Sequence, residues 1–259
     1  MHDTREAAGA ERPARAPASR RTGLVLAAGY GARQPRSLQS VPKPLLPVAG
    51  RPILLRTLDS LVLAGCNSAI VVIGHEGAKV QAAIERDYEG SMNVAFVNNP
   101  RFDLQNGISV LAAAPDLPEE FVLAMADHVF DACTMSLIAT HSCRPGTATL
   151  VIDRKLDSIF DIDDATKVFV RDDRVERIGK QLDAFNAIDC GLFVAGPSLL
   201  AALEDVFRTR GDASLSEGVQ TLASAGAMTA LDLGGCRWQD VDTPEMLEEA
   251  ERLLRYSQP

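Results

Sequence analysis

The most informative part of this sequence is Leu26-Ala-Ala-Gly-Tyr-Gly-Ala-Arg33, followed by Val41-Pro-Lys-Pro-Leu-Leu-Pro-Val-Ala-Gly-Arg-Pro-Ile-Leu54. An apolar run from Gly23 ends at Gly29, which predicts a buried strand that runs into a turn. Small residues in that turn allow backbone N–H groups to approach a triphosphate closely. Arg33 offers a planar fork for phosphate oxygens, and Lys43 adds a point charge between two prolines that restrict the backbone.

Gly29 and Gly31 alone are equally typical of an ordinary tight turn. Their combination with Pro-Lys-Pro, ten residues after Arg33, is more specific. The stretch lacks the third glycine of the dinucleotide-binding fingerprint, and no Gly-Lys-Ser/Thr follows it as in a P-loop. It therefore predicts a different kind of nucleotide site.

Strands and helices alternate on either side of this stretch. Helices are predicted over 52–64, 76–88, 197–207, 215–225 and from 243 onward, and strands over 23–29, 68–73, 93–97, 121–125, 147–152, 167–171, 175–178, 187–194 and 228–233. This order predicts an α/β, Rossmann-like fold with a mixed, mainly parallel sheet and helices on both faces. We expect one domain over 23–259, a smaller acceptor-binding lobe around 145–190, and a disordered tail over 1–22.

Composition narrows the possible partners. The net charge is −9 over 259 residues, so nucleic acid is not an expected partner. No apolar run is long enough to cross a membrane, and the 1–22 segment has no apolar centre typical of a secretory signal. The five cysteines show no Cys-x-x-Cys spacing, which predicts reduced thiols and a cytoplasmic location.

Three aspartates are candidate metal ligands. Asp127 follows a predicted strand, and ligands of open α/β sheets bind beyond the carboxyl ends of strands. Asp240 and Asp242 alternate along an extended segment, so their side chains should point the same way. Taken alone, Asp127 is equally typical of a helix N-cap, and Asp242 could simply support the following helix. His128 could contact substrate or fill space beside Asp127.

Leu-Ala-Ala-Gly-x-Gly-x-Arg followed by Pro-Lys-x-Leu resembles the signature of the nucleotidyltransferases that make NDP-sugars and CDP-alcohols. The resemblance covers residues 23 to about 254. It implies that Arg33 and Lys43 act on the NTP and that Mg²⁺ is held by Asp127 with Asp240 or Asp242. It also implies a nucleotide-binding set comprising Leu26, Ala27, Ala28, Gly29, Gly31, Asn106 and Ser109.

Several further stretches resemble the inositol-1-phosphate cytidylyltransferases. They are Met125-Ala-Asp-His-Val-Phe130, Asp163-Asp-Ala-Thr-Lys-Val168, Arg177 to Val194, and Trp238-Gln-Asp-Val-Asp-Thr243. The resemblance implies that CTP and inositol 1-phosphate are the substrates. Lys180 resembles the lysine of sugar nucleotidyltransferases that contacts the acceptor's phosphate. Lys180 could equally be a solvated surface lysine. The segment with Asn98, Asn99, Gln105, Asn106 and Ser109 resembles the loop that recognises base and ribose, and is also typical of plain turns.

We expect the acceptor's phosphate to attack the α-phosphorus of CTP, with release of pyrophosphate. In known members this domain is often fused to a membrane-embedded phosphotransferase; here we expect a separate downstream enzyme of that kind. Alternative acceptors are phosphocholine, an aminoalkylphosphonate or a sugar 1-phosphate. A nucleotide-binding module without catalytic activity is the alternative from another class.

Overall fold

The computed structural model describes residues 21–31 and 41–256. The tail predicted over 1–22 lies outside them up to residue 20, and Arg33 also lies outside them. Residues 21 and 22 belong to the first strand, which therefore begins two residues before the predicted one. Arg21 explains this, because its buried side chain donates to Ile138 O and pairs with Glu120 at 3.0 Å.

The described residues form one large sheet and two short strand pairs. The strands are β1 (Arg21–Ala27), β2 (Pro47–Val48), β3 (Arg51–Pro52), β4 (Cys66–Ile73), β5 (Asn93–Asn98), β6 (Phe121–Met125), β7 (His128–Phe130), β8 (Ala148–Asp153), β9 (Lys167–Arg171), β10 (Arg174–Gly179), β11 (Ala187–Ala195), β12 (Met228–Asp232) and β13 (Trp238–Asp240). The helices are α1 (Ile53–Leu63), α2 (Gly77–Asp87), α3 (Asn106–Ala113), α4 (Ala132–Thr140), α5 (Pro197–Arg210), α6 (Leu215–Ser224) and α7 (Pro244–Tyr256). Short 3₁₀ turns cover Lys43–Leu45, Ala114–Asp116 and Leu156–Ser158.

The sheet is mixed, as predicted. Its order is β5-β4-β1-β6-β11-β8-β12-β10-β9, and β11 also pairs with β9. Strands β5, β4, β1 and β6 are parallel, whereas β11 runs antiparallel to both β6 and β8. The region around 145–190 supplies β8 to β11, so these residues extend the same sheet.

The core lies on both faces of the sheet. Leu24 and Leu26 of β1 pack into one cluster with α3, α5 and α6, whereas Val25 and Ala27 pack into another with α1, α2 and α4. Alternate burial on two faces is the period-2 pattern of a strand covered on both sides, and it confirms the prediction of helices on both faces. A third cluster holds α7 against Val48, Ile53 and Val241.

Strand direction decides where the polar side chains meet. Parallel β1 and β6 end at one edge, at Ala27 and Met125. Because β11 is antiparallel to β6, its beginning, with Asp189, reaches that same edge, and so does the end of β8 at Asp153. Among the described helices, none is long and apolar enough to span a membrane.

Candidate active site

A cavity of about 1260 Å³ opens at this edge of the sheet. Pockets for single small ligands are commonly about 300–1,000 Å³, so the space is large enough for two substrates side by side. Charged and aromatic residues in its lining include Asp127, His128, Asp153, Lys155, Lys180, Asp189, Arg237, Trp238, Asp240 and Asp242. All three predicted metal aspartates and Lys180 therefore line one cavity.

Lys43 lies between two of the aspartates. Its Nζ is 2.5 Å from Asp127 Oδ2 and also donates to Asp242 Oδ1. The 3₁₀ turn Lys43–Leu45 begins after Pro42, and buried Pro44 fixes its position against the core. In this structure the ammonium of Lys43 balances the two carboxylates, and its predicted role at the triphosphate stays a prediction.

These contacts shift the pKa values of Lys43 and Asp127. Burial works to lower the pKa of Lys43, but Asp127 and Asp242 outweigh it and raise that pKa. Burial works to raise the pKa of Asp127, yet Lys43 and His128 hold it well below its usual range. Lys43 is thus charged and Asp127 ionised at neutral pH.

Asp240 stands apart from the contact with Lys43. It pairs with His128 in the β13–β7 ladder, and burial raises the pKa of its carboxyl. Within the described part of the chain its carboxylate accepts a hydrogen bond from Gln239 Nε2 at 3.2 Å. Asp127 and Asp242 therefore converge on one point, with Asp240 beside them.

His128 is fixed on two sides. Its Nδ1 lies 2.6 Å from Asp127 Oδ1, and its ring stacks on Trp238 at 5.4 Å between centroids. Gly191 lies behind it, since a Cβ there would come within 2.7 Å of His128 Nε2. His128 thus packs beside Asp127 and also lines the cavity, so both roles weighed for it are compatible with its position.

The glycine-containing turn after β1 is open on one side. Ala28 O accepts a hydrogen bond from His75 N, and a Cβ added at Gly29 would meet nothing within 4 Å. Gly31 has φ +61°, which favours glycine. Leu26 and Ala27 are buried strand residues, so they could contact a nucleotide only through their backbone.

The other predicted contacts differ in their surroundings. Lys180 Nζ donates to Asp164 Oδ1 at 2.6 Å, and its side chain is 44% exposed at the cavity. Asn106 lines the cavity and accepts from Leu215 N, whereas Ser109 is buried and accepts from Asn99 Nδ2. The segment from Asn106 is helix α3 and not the predicted loop. Ser109 and Asn99 connect this helix to the end of β5.

Asp153, Lys155 and Asp189 were not predicted at the site. Asp153 is buried, and it accepts from Lys155 Nζ at 2.8 Å and Trp238 Nε1 at 3.1 Å. The available signal was a single acidic residue in or at the end of an otherwise apolar strand, as in Ala187-Ile-Asp-Cys-Gly-Leu. Such a residue either faces a cavity or is paired.

The prediction that all cysteines are reduced is wrong. Cys133 and Cys236 form a disulfide, while Cys66, Cys143 and Cys190 are free. Cys133 lies in α4, just after β7, and Cys236 lies just before β13. Since β7 pairs with β13, the fold brings together two cysteines 103 residues apart, which spacing along the sequence could not indicate.

A divalent cation fits the aspartates. Mg²⁺ commonly binds one or two protein carboxylates together with substrate phosphates. The ammonium of Lys43, which lies on both Asp127 and Asp242, is a stand-in cation at the point where they converge. Asp127 and Asp242 are thus the residues that would hold such an ion.

Residues 23–159, more than half of the chain, match the MobA-like NTP transferase domain, and the chain belongs to this family. The fold and the site are therefore those of a nucleotidyltransferase, a class that generally uses a divalent metal.

Two relatives and one solved structure are similar to this chain over most of its length. The chain is 36% identical over 242 residues to a bifunctional IPC transferase and DIPP synthase of Rubrobacter xylanophilus, and 30% identical over 234 residues to that of Aquifex aeolicus. These matches cover 89% and 90% of this chain, but 51% of each relative, so the chain spans about half their length. The solved structure of the inositol-1-phosphate CTP transferase from T. maritima is similar, with TM-score 0.76 and 25% identity over 93% of this chain and 98% of that one.

Proposed function

We propose that this chain is a cytidylyltransferase that joins CMP from CTP to inositol 1-phosphate, giving CDP-inositol and pyrophosphate. The observation that carries the reaction class is the convergence of Lys43, Asp127 and Asp242 at a cavity large enough for two substrates. The choice of CTP and inositol 1-phosphate is supported by the likeness to the T. maritima enzyme over nearly its whole length.

In the proposed reaction, an oxygen of the acceptor's phosphate attacks the α-phosphorus of CTP in line. A new P–O bond forms, the bond from the α-phosphorus to the bridging oxygen breaks, and pyrophosphate leaves with that electron pair. A phosphate monoester has a second pKa of about 6 and is largely ionised at neutral pH, so no general base is needed. Catalysis then depends on positioning and on neutralising charge.

The residues divide this work by their chemistry. Asp127 and Asp242 hold Mg²⁺, which neutralises charge on the phosphates when bound. The side chain of Lys43 moves its ammonium group away from the carboxylates to contact the triphosphate, and Arg33 provides a second cation there. Lys180 orients the acceptor's phosphate, and Asp240 supports the metal site. The backbone from Leu26 to Ala28 with Gly29 and Gly31, and the side chains of Asn106 and Ser109, bind the nucleotide.

The setting of the reaction is part of the proposal. The domain comprises 23–259 and works in the cytoplasm. Its product passes to a membrane phosphotransferase that transfers inositol phosphate from CDP-inositol to a second alcohol and releases CMP. Disulfides are uncommon in the cytoplasm, so the pairing of Cys133 and Cys236 argues against this location.

The test is a screen of four NTPs against inositol 1-phosphate, phosphocholine, an aminoalkylphosphonate and glucose 1-phosphate, with Mg²⁺ and with pyrophosphate release as the readout. We expect turnover with CTP and inositol 1-phosphate. Turnover with phosphocholine alone, or with a sugar phosphate alone, would contradict the acceptor. No turnover in any combination, with tight NTP binding, would indicate a binding module.

Asp127→Asn tests the metal assignment. The amide keeps the shape but removes the charge, so turnover should fall at least about a hundredfold. Mn²⁺ affinity, measured by paramagnetic resonance with CTP present, should fall as well. Asp163→Asn is the matched control, because Asp163 is exposed and outside the cavity lining. Unchanged Mn²⁺ affinity in Asp127→Asn would overturn the assignment.

A further inference from the structure

Asp189 is an acidic residue in β11, a strand that is buried almost throughout. Eight of the nine residues of β11 are buried, and Asp189 is the exception. The ladder between β11 and β8 is irregular just after it: Asp189 pairs with Ile152, and the next regular pair is Phe193 with Leu150. Three residues of β11 thus face one of β8, which is the geometry of a bulge.

Gly191 makes this bulge possible. It has φ +66°, and its missing Cβ leaves room for His128. Bulges commonly redirect a side chain next to an active site. Here the side chain of Asp189 lines the cavity, as does Lys180. Strand β9 links the two positions, since Lys167 pairs both with Ile188 and with Gly179, the residue before Lys180.

The carboxylate of Asp189 has few partners of its own. Across residues 21–31 and 41–256 it accepts one hydrogen bond, from Gly191 N at 2.8 Å, and it has no ion pair. Neighbouring acids in the lining are held by side chains of the protein: Asp153 by Lys155 and Trp238, Asp164 by Lys180, and Glu217 by Arg210 and Ser214.

Asp189 is partly buried at the cavity wall, and a partly buried carboxylate with one protein donor is stabilised when a ligand supplies more donors. Burial raises the pKa of Asp189 to about 6, which agrees with this shortage. A phosphate cannot be the missing partner, because two anions would repel each other. The part of a substrate that lies against Asp189 must therefore carry hydrogen-bond donors and no negative charge.

Resting on the function proposed above, we propose that Asp189 selects the acceptor by accepting hydrogen bonds from hydroxyl groups of its polyol ring. The two oxygens of a carboxylate suit two neighbouring hydroxyls. Lys180, which lines the same cavity, engages the phosphate, so the two residues bind opposite ends of the acceptor. Asp189 thereby reads the hydroxyl pattern that distinguishes a polyol phosphate from other phosphate monoesters.

The experiment compares inositol 1-phosphate with cyclohexyl phosphate, which has the same ring size and phosphate but no ring hydroxyls. The ratio of their kcat/KM values is measured for the wild type, Asp189→Asn and Asp161→Asn. In Asp189→Asn we expect the ratio to fall at least about tenfold, since a charged acceptor is lost. The KM for CTP should stay unchanged.

Asp161→Asn is the matched control, since Asp161 lines the same cavity and loses the same charge. Its ratio should equal that of the wild type. Thermal unfolding checks that both variants fold, and Asp189→Glu provides a second variant whose ratio should lie between those of the wild type and Asp189→Asn.

Three results are distinguishable. If inositol 1-phosphate is a wild-type substrate and Asp189→Asn keeps the wild-type ratio, the role of Asp189 is overturned and the proposed function stands. If the wild type prefers phosphocholine or an aminoalkylphosphonate, the proposed acceptor and the hydroxyl role both fail, because Asp189 then faces a cation. An equal fall for both acceptors indicates a structural role only, and also overturns the proposal.

Discussion

Lys43 brings one positive charge to two carboxylates, and the proposed function gives that charge a second role. Before CTP arrives, the ammonium neutralises Asp127 and Asp242, which would otherwise repel each other inside a cavity. Under the proposed function, Asp127 and Asp242 would hold a divalent cation when CTP binds, and the ammonium of Lys43 would then be available for the triphosphate. The resting contact thus favours joint entry of metal and nucleotide.

Lys43→Met separates these two roles. Removing one preorganised donor to developing negative charge should raise the barrier by about 2–4 kcal/mol, chiefly through kcat. Without CTP, however, Mn²⁺ should bind more tightly to the variant than to the wild type, because no ammonium competes for the carboxylates. Equal or weaker Mn²⁺ binding by Lys43→Met would show that the ammonium does not occupy the cation's place.

Asp189 should also leave a trace in the pH dependence of stability. Its pKa is about 6 in the folded protein and about 3.9 in an unfolded chain, so the folded state holds the proton longer as pH rises. Its contribution to the free energy of unfolding therefore falls between about pH 4 and about pH 6, and is constant above.

Urea unfolding of the wild type and Asp189→Asn at several pH values measures this contribution as a difference. The stability of the wild type relative to the variant should decline through that window. A difference that rises with pH would mean that the carboxylate has a cationic partner in solution.

At the scale of elements, the bulge in β11 and the β7 strand depend on each other. A Cβ at residue 191 would come within 2.7 Å of His128 Nε2 and 2.9 Å of Met125 Cγ, and φ there is +66°. The side chain of His128, which bonds Asp127, therefore has its place only because residue 191 is glycine.

Gly191→Ala should lower the free energy of unfolding by more than Gly146→Ala. Gly146 has a similar positive φ of +79°, but a Cβ there meets nothing within 4 Å, so it reports backbone strain alone, about 1 kcal/mol or slightly more. Gly191→Ala adds the clash and should also reduce turnover by displacing His128. Urea unfolding measures both losses. Equal losses of stability would show that the clash between a Cβ at residue 191 and His128 does not destabilise the protein.

The elements that the sequence predicted well are those with strong local patterns. Residues 121–125 and 167–171 are strands with the predicted bounds. Helix α3 was missed because Asn106-Gly107 is typical of a turn, and only the tertiary contact with Leu215 gives Asn106 its place at a helix start. Helix α4 was missed because its apolar residues lack a clear one-sided pattern.

Only some residues of the candidate site, and none of their contacts, could be predicted from the sequence. Motifs identified Lys43, Asp127 and Asp242, since each follows a recognisable local pattern. Lys43 contacts Asp127, which is 84 positions away in the sequence, and Asp242, which is 199 positions away. These contacts depend on how the core places β6, β13 and the Lys43–Leu45 turn. Asp189 escaped notice for the same reason, because only the sheet order brings the start of β11 to the cavity.

At the scale of the whole molecule, the sheet joins a parallel part, β5-β4-β1-β6, to a mixed part beyond β11. The parallel part carries the turn after β1 and Asp127, and the mixed part carries Asp153, Asp189 and Lys180. The cavity lies along the edge that both parts share. Under the proposed function, the nucleotide would lie against the first part and the acceptor against the second.

The disulfide between Cys133 and Cys236 closes a covalent loop of the polypeptide, and this loop contains β8 to β12. A protease that cuts after the exposed Phe160 opens the loop without releasing either piece. The nicked protein should run as one band on a denaturing gel without reductant and as two bands after reduction. Two bands under both conditions would show that the thiols are unpaired in solution. Because the disulfide joins the two pieces, cleavage near Phe160 leaves Asp127 and Asp242 on one covalent molecule. We therefore expect the cleaved enzyme to keep activity.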